Sequence, residues 1–473
     1  MNSVDPTASR AGLESDRNSP SGADPANLLR RMECVPFSRW HMKARVVMGS
    51  ATFFDAFNAL SLAFALPTLI RFWHISPKQS GLLISASYVG QLAGALAFSA
   101  LAEKVGRIRG TTVAVGIMSV MSFACAMAGN FPALLACRLV QGIGVGGEMP
   151  VAATYINELS RAHGRGRFFL LYEMIFPVGL MATGQIGAWL VPTYGWKSIF
   201  LLGGVPGLFI TFLVTRLPES PRWLISQGRI QEAEAIVEQV EASSERRVPA
   251  VTPSTIAVRS NLAQSNLTQP GRWAELFSAA YRGRTLIAWT LWACAFFVAN
   301  GLNNWMPSLY NTVYGLSLRQ SLRAASMTNV AQVAVLLVCA FAIDRIGRRN
   351  WTVGAFVLGA GMLAFLGMRG AHEVLSVMIL ATLGYGVIGS TNAVLYLHTP
   401  EIYPTRIRAI GTGLATSWLR IASAVSPALL GVMVDAKGIN SVFLMFAGMS
   451  MLGAFAATRM VETSDRSLEE IAP

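Results

Sequence analysis

Charge is what this sequence has least of. Asp, Glu, Lys and Arg make up 13% of 473 residues, where a soluble chain of this length carries about a quarter. With 53% of residues hydrophobic, that shortage excludes an ordinary soluble domain and points to a polytopic membrane protein. Cysteine is sparse too. Cys34, Cys125, Cys137, Cys294 and Cys339 are odd in number, lack metal-ligand spacing and mostly sit in apolar runs, so they read as small core residues. No nucleophile-base motif, metal cluster or Walker sequence stands out, which argues against an enzyme, a resident cofactor or ATP use. The net charge of +13 falls in short clusters between apolar segments, the signature of membrane topology rather than of a nucleic-acid surface.

What is present is apolar length. Stretches of about 17 to 25 residues, each enough for one bilayer-spanning helix, occur near 46–70, 80–101, 111–129, 132–157, 168–191 and 198–216, and again near 285–310, 321–343, 351–368, 374–398, 410–434 and 440–460. The expected fold is an all-α membrane protein of twelve transmembrane helices in two six-helix lobes, 43–217 and 285–461. Residues 1–42 form a polar tail without a signal-peptide core, expected to be disordered and cytosolic. The segment 218–284 is a polar linker, in which Ile230, Ala233, Val237 and Val240 mark one apolar face of a short helix. Residues 462–473 close the chain as a second tail.

Basic residues set the orientation. The short loops holding "EKVGRIRG", "SRAHGRGR", "DRIGRR" and "TRIR" carry about eleven Lys or Arg, against roughly seven on the opposite side. Both termini are therefore expected in the cytosol. The two halves also repeat one another: Glu103 and Asp344 are 241 positions apart, Glu158 and Glu401 243, and Glu219 and Glu462 243. Matches at nearly one offset, each at a cytosolic helix end, indicate a six-helix unit duplicated in parallel, the plan of an alternating-access transporter.

Together, "SALAEKVGRIRG", "RLVQGIGVGGEMPVAATYINEL", "HGRGR", "PESPRWL", "DRIGRR" and "PEIYPTRIRAIGTG" resemble the motifs of the major facilitator superfamily over about residues 46–470. The branch they resemble most holds metabolite:proton symporters, aromatic-acid:proton symporters and organic ion transporters. "NGLNNWMPSLY" is similar to the seventh-span stretch of aromatic-acid:proton symporters. Two positions depart from the first loop motif: Ser99 stands where the family usually has Gly, and Ile108 where it usually has a basic residue. The short "RFWHISPKQS" loop after the first span differs from the long Cys-rich loop of animal organic ion transporters and points to a bacterial, inner-membrane protein.

A few charges lie inside the spans, where each is a functional candidate by default. At a rise of 1.5 Å per residue, Asp55 lies about 13 Å from the cytosolic end of the first span, near mid-bilayer. On the fourth span Arg138 lies about 9 Å below the outer surface and Glu148 about 6 Å above the inner one. Burial disfavours a charged carboxyl and a nearby guanidinium favours it, so an acid that alternates between the two conditions moves a proton. Asp55 and Arg138 are expected to pair when protons are absent, as the resemblance to proton-coupled sugar porters implies, with Glu148 as a rival carrier. The bland alternative is a static buried pair that sets helix packing.

Arg420 lies about 15 Å into the eleventh span. Its guanidinium suits a carboxylate, and in the organic ion branch the position thirteen residues after the loop Ile, here Ile407, carries an Arg in anion transporters. Pairing of Arg420 with Glu173, Glu148 or Asp55 is the alternative. Asn303, Asn304 and Trp305, Asn392 and Tyr396, and Trp418 are further substrate candidates, through stacking and amide hydrogen bonds, though Trp and Tyr also populate interfacial belts. Glu173 reads as a gate. So by resemblance do Glu103 with Arg107, Asp344 with Arg348, Glu158 with Arg165, and Glu401 with Arg408. The expected function is proton-coupled uptake of a small organic anion, an aromatic or related carboxylate, by a monomer that uses the proton as its coupling ion. A proton-coupled sugar or polyol symporter and an organic cation transporter are the alternatives.

Overall fold

The computed structural model describes residues 38–159, 174–243, 273–369 and 373–463, with a few positions between 27 and 35. Twelve long helices dominate: α1 (Arg39–Trp73), α2 (Pro77–Val105), α3 (Arg107–Met127), α4 (Phe131–Leu159), α5 (Ile175–Tyr194) and α6 (Lys197–Thr215), then α7 (Arg282–Thr312), α8 (Leu318–Ile346), α9 (Arg348–Arg369), α10 (Val374–Glu401), α11 (Thr405–Lys437) and α12 (Ile439–Thr458). Eleven are long and apolar enough to cross a membrane. The exception, α4, runs 29 residues but is diluted by Arg138, Gln141 and Glu148, all nearly fully buried. The expected all-α architecture is observed, as twelve long helices among the described residues.

Several helices outrun their apolar cores. α1 starts at Arg39, ahead of its expected span, because Ser38 and His41 form a capping box that organises the first turn. α2 and α8 begin on Ser76 and Ser317, whose hydroxyls accept from the N–H of Gln79 and Gln320.

α1 to α6 pack mainly among themselves, through α2–α4, α3–α4, α3–α6 and α1–α5, and α7 to α12 do the same through α9–α12, α8–α10 and α9–α10. The lobes meet along α2–α11, α5–α8 and α1–α7. Between them in sequence, the helix Ile230–Ala242 buries Ala233, Val237 and Val240, the first two in a cluster with Leu28, Met32, Trp223 and Leu224. Arg31 clamps it by donating to both Glu241 oxygens, at 2.9 and 2.7 Å.

The duplication is visible atom by atom at the end of the bundle where α1 begins and α12 finishes, here called the near end. Glu219 accepts from the N–H groups of Arg107 (2.9 Å), Ile108 (3.2 Å) and Ser220 (2.9 Å). Glu462 accepts from those of Arg348, Arg349 and Thr463, each at 3.0 Å. The two carboxylates thus cap α3 and α9 at equivalent positions, where orphan N–H groups and the helix dipole favour negative charge. Gly106 (φ +109°) and Gly347 (φ +87°) turn the chain into these helices. A Cβ on either would sit 2.2 or 2.6 Å from the capping carboxylate, so both backbone geometry and space require glycine.

The far end is where the lobes touch closely. A Cβ on Gly81 would lie 2.5 Å from the carbonyl oxygen of Pro427, and one on Gly431 2.5 Å from that of Pro77. Ser85 donates to the Ala424 carbonyl at 2.6 Å, Gln185 to that of Ser326 at 3.4 Å, and Asn304 to the Tyr88 hydroxyl at 2.9 Å. Toward the near end the lobes meet more loosely, as where the Tyr396 hydroxyl faces the Met149 sulfur at 4.0 Å. The structure is closed at the far end.

Two outcomes follow. Gly81→Val should wedge α2 from α11, giving a protein that inserts normally but is trapped open at the far end; labelling of a far-end cysteine by a membrane-impermeant reagent would rise at least several-fold. Glu219→Ala should cost about 1 kcal/mol through the lost cap, read as a lower unfolding temperature, with Glu462→Ala costing a similar amount.

Candidate substrate and proton site

The inner face of α1 carries Thr52 and Asp55, one turn apart, at 1% and 2% exposure. Thr52 donates to Glu148 Oε1 of α4 at 2.9 Å and lies 3.3 Å from the Met48 carbonyl. Two charged groups act on the Asp55 carboxylate: Glu148 from its own lobe and Arg420 from the other. Arg420 is 9% exposed, reaches the Thr416 carbonyl of its own helix at 3.3 Å, and is acted on by Tyr396 of α10 and by Asp55. Asp55 Oδ1 and Arg420 Nε are buried without a hydrogen-bond partner. Helices α1, α4, α10 and α11 therefore carry two acids, a guanidinium and a phenol that lie within electrostatic reach along the chain Glu148–Asp55–Arg420–Tyr396, with no ion pair formed between Asp55 and Arg420.

Arg138 belongs elsewhere. It is 2% exposed and donates to the Asn58 carbonyl at 3.1 Å and to Gln141 Oε1 at 2.6 Å, while Gln141 donates to Asn58 Oδ1 at 3.0 Å. The electrostatic neighbours of its guanidinium are Cys125 and Tyr88, not Asp55. The Asp55–Arg138 pair expected from the sequence is not formed in this structure. Gln141, on the same helix face, and the Asn58 carbonyl, one turn past Asp55, hold the guanidinium toward the far end.

The substrate candidates divide by level. Tyr396 stands edge-on to Trp292 at 4.7 Å, and Asn392, one turn above on α10, has a buried Oδ1 without a hydrogen-bond partner. Trp292 donates to Thr399 at 2.9 Å, which sets the register of α7 against α10. Trp305, thirteen residues further along α7, is therefore about 20 Å nearer the far end. Asn303 and Trp305 are buried there at 5% and 2% exposure, and Asn304 is part of the far-end seal. Trp418 is not brought to the site: at 36% exposure it shares an outward row with Ile421, Val425, Leu429 and Val432 and packs on Trp289 at 5.6 Å.

The near-end charges form contacts within a lobe. Arg107 pairs with Glu158 at 2.9 Å, both side chains under one-fifth exposed, and Glu103 is exposed, its carbonyl accepting from Trp223 at 2.9 Å. Burial lifts the Glu219 carboxyl above the usual carboxylate range, against the N–H donors of Ser220, Ile108 and Arg107 and the Arg107 charge. Glu401 accepts from Thr463 at 2.5 Å, Arg348 opens α9 at the Glu462 cap, and Arg408 donates to the Tyr403 carbonyl at 3.2 Å. Arg165, Glu173 and the Asp344 side chain lie outside the described residues.

Sequence reasoning passed over Thr52, Asn58, Tyr88, Gln141, Asn300 and Ser423. Asn300 donates to Ser423 at 2.6 Å, and its carbonyl accepts from Asn304 at 2.9 Å, so a polar row climbs α7 into the seal. The available signal was spacing: Thr52 with Asp55, Arg138 with Gln141 and Asn300 with Asn304 each recur at three or four residues inside apolar helices.

The niacin transporter NiaP of Acinetobacter baylyi is 33% identical over 450 residues, covering 94% of this chain and 99% of the relative. The 4-hydroxybenzoate transporter PcaK of the same organism is 28% identical over 425 residues, covering 89% and 91%. In fold, the chain is similar to the xylose transporter XylE from E. coli in a partially occluded inward-open conformation, with a TM-score of 0.70 at 18% identity, covering 91% and 100%. The model of the sugar (and other) transporter family matches residues 34–473. The chain is a membrane transporter, not an enzyme, and belongs to the sugar (and other) transporter family of the major facilitator superfamily.

Proposed function

We propose that this transporter takes up a small organic anion, an aromatic or related carboxylate, together with protons, by alternating access. The observation that carries the reading is the buried Arg420 between the lobes: a guanidinium withdrawn from water needs an anion, and a substrate carboxylate matches its planar donors. The niacin and 4-hydroxybenzoate transporters among its relatives support an aromatic acid, and Tyr396, held edge-on against the buried Trp292, supplies an aromatic ring beside the charge. Asp55 is the proton carrier in this reading, and Glu148 its neighbouring acid. One proton with each monoanion makes transport electroneutral, so a negative interior does not oppose entry. The near end, with both termini, faces the cytosol of a bacterial inner membrane, and the working unit is a monomer.

Arg420→Ala should abolish uptake of labelled 4-hydroxybenzoate and nicotinate by at least tenfold while the protein still reaches the membrane, as quantified by immunoblot; unchanged uptake would remove the anion reading. Asp55→Asn should abolish accumulation driven by a pH gradient and spare exchange of internal for external substrate. Accumulation retained in that variant would reassign the proton.

A further inference from the structure

We propose that Arg138, with the Tyr88 hydroxyl beside it, is a second anion-binding site, which receives the substrate carboxylate when the far end opens and hands it on to Arg420. The inference rests on the reading that the substrate is a small organic anion held by Arg420, and adds the place where that anion is first held.

Both hydrogen bonds of the Arg138 guanidinium are made by Nη1, to the Asn58 carbonyl and to Gln141 Oε1. Nε is buried without a partner, and the edge it shares with Nη2 carries no hydrogen bond to any described residue. That edge is the one other arginines of this protein give to acids. Arg31 turns its Nε and Nη2 to Glu241, Arg107 to Glu158 and Arg229 to Glu232, because two parallel N–H groups match the two oxygens of a carboxylate. Among the described residues no carboxylate pairs with Arg138; its electrostatic neighbours are the Cys125 thiol and the Tyr88 phenol. A guanidinium at 2% exposure without a counter-charge is costly. Bracing α1 against α4 does not explain it, since Gln141 already joins Asn58 Oδ1 at 3.0 Å.

The neighbouring groups complete a set of donors. α2 and α4 meet backbone to backbone at this level: a Cβ on Gly142 would lie 2.1 Å from the Ser87 carbonyl oxygen, and one on Gly90 2.1 Å from that of Leu139. Tyr88 follows Ser87 and Arg138 precedes Leu139, so the helix register brings the phenol alongside the guanidinium. The Tyr88 hydroxyl accepts from Asn304 at 2.9 Å and donates to no described residue. The nearby amides are already engaged, Gln141 with Asn58 Oδ1 and Asn58 with the Phe54 carbonyl at 2.8 Å. What remains at Arg138 is the Nε and Nη2 edge and one O–H, all donors, and a buried set of donors selects an anion.

Two such sites lie in series. Arg420 is tethered as Arg138 is, through Nη1 to a carbonyl, that of Thr416, with Nε buried and unpartnered. Asn58, which holds Arg138, lies three residues beyond Asp55, about 4.5 Å nearer the far end, and Asp55 is the α1 residue on which Arg420 acts. Arg138 is therefore the outer site and belongs to the first lobe, while Arg420 is the inner one and belongs to the second. The far-end seal engages the Tyr88 hydroxyl through Asn304 of the opposite lobe. Opening that end breaks the contact and leaves the hydroxyl to an arriving carboxylate. Closure restores it, and the carboxylate passes to Arg420.

The test measures exchange of labelled 4-hydroxybenzoate and nicotinate by the full-length protein in proteoliposomes of one orientation, with half-saturation determined separately at the far and near ends. Arg138→Gln should raise the far-end value at least about tenfold, the cost of a lost charged hydrogen bond, and leave the near-end value within about twofold. Tyr88→Phe keeps the ring and should raise the far-end value about threefold or more with the same one-sidedness. Arg138→Lys should fail to restore the far-end value, because an ammonium lacks the paired edge. A far-end value unchanged in Arg138→Gln, or raised equally at both ends, would overturn the proposal, since a brace between α1 and α4 serves both faces alike. Full recovery in Arg138→Lys would overturn it too. Tyr88→Phe is read by the same criterion should Arg138→Gln not fold. If Arg420→Gln exchanges both probes as wild type does, the underlying anion reading fails instead, an outcome separate from any of these.

Discussion

One guanidinium withdrawn from water constrains the rest of this transporter. Arg420 enters the interface from α11 at the level of Asp55, Glu148 and Tyr396, and no arrangement of the lobes is cheap unless its charge is answered there. Asp55 of the opposite lobe lies within its electrostatic reach, and in the proposed function a substrate anion answers it when the site is filled. The two occupancies differ by one charge. In the proposed function a proton that enters with the anion cancels that difference.

The scaffold around that place is stiff where it must transmit movement and loose where it must part. Within the first lobe, a Cβ on Gly90, Gly94, Gly142 or Gly146 would fall within 2.1 Å of a backbone oxygen of the facing helix, so α2 and α4 ride together as one body. The Glu219 and Glu462 caps fasten α3 and α9 to the segments that follow α6 and α12. Between the lobes, by contrast, closure at the far end depends on the two glycine contacts of α2 with α11 and a handful of hydrogen bonds, among them Asn304 to Tyr88. Such an interface can open without disturbing the interior of either lobe.

The fold was legible because hydrocarbon imposes length and apolarity on every span and because duplicated acids recur at nearly one offset. The helix ends were less so, since capping by Ser38 or Ser76 extends a helix past its apolar window. Reading the site was harder. Linear depth along each helix placed Asp55 and Arg420 near the middle and Glu148 about 6 Å from the inner surface, and in the structure the other two act on Asp55. Depth alone could not say which partner each side chain would choose: Arg138 is drawn to Gln141 on its own helix and to the Asn58 carbonyl, and Trp418, two residues from Arg420, points the other way because two residues turn a helix by about 200°. Thr52 went unread because a lone hydroxyl in an apolar helix has the same appearance whether it bonds its own backbone or an acid across the lobe.

The central claim is a charge balance around Arg420, and the most direct test is flux through purified protein in sealed liposomes under separately imposed gradients. An inward acid gradient with the potential clamped at zero should drive accumulation of labelled 4-hydroxybenzoate, and an imposed potential without a pH difference should leave it unmoved. Accumulation driven by potential alone, or indifferent to the acid gradient, would contradict the account.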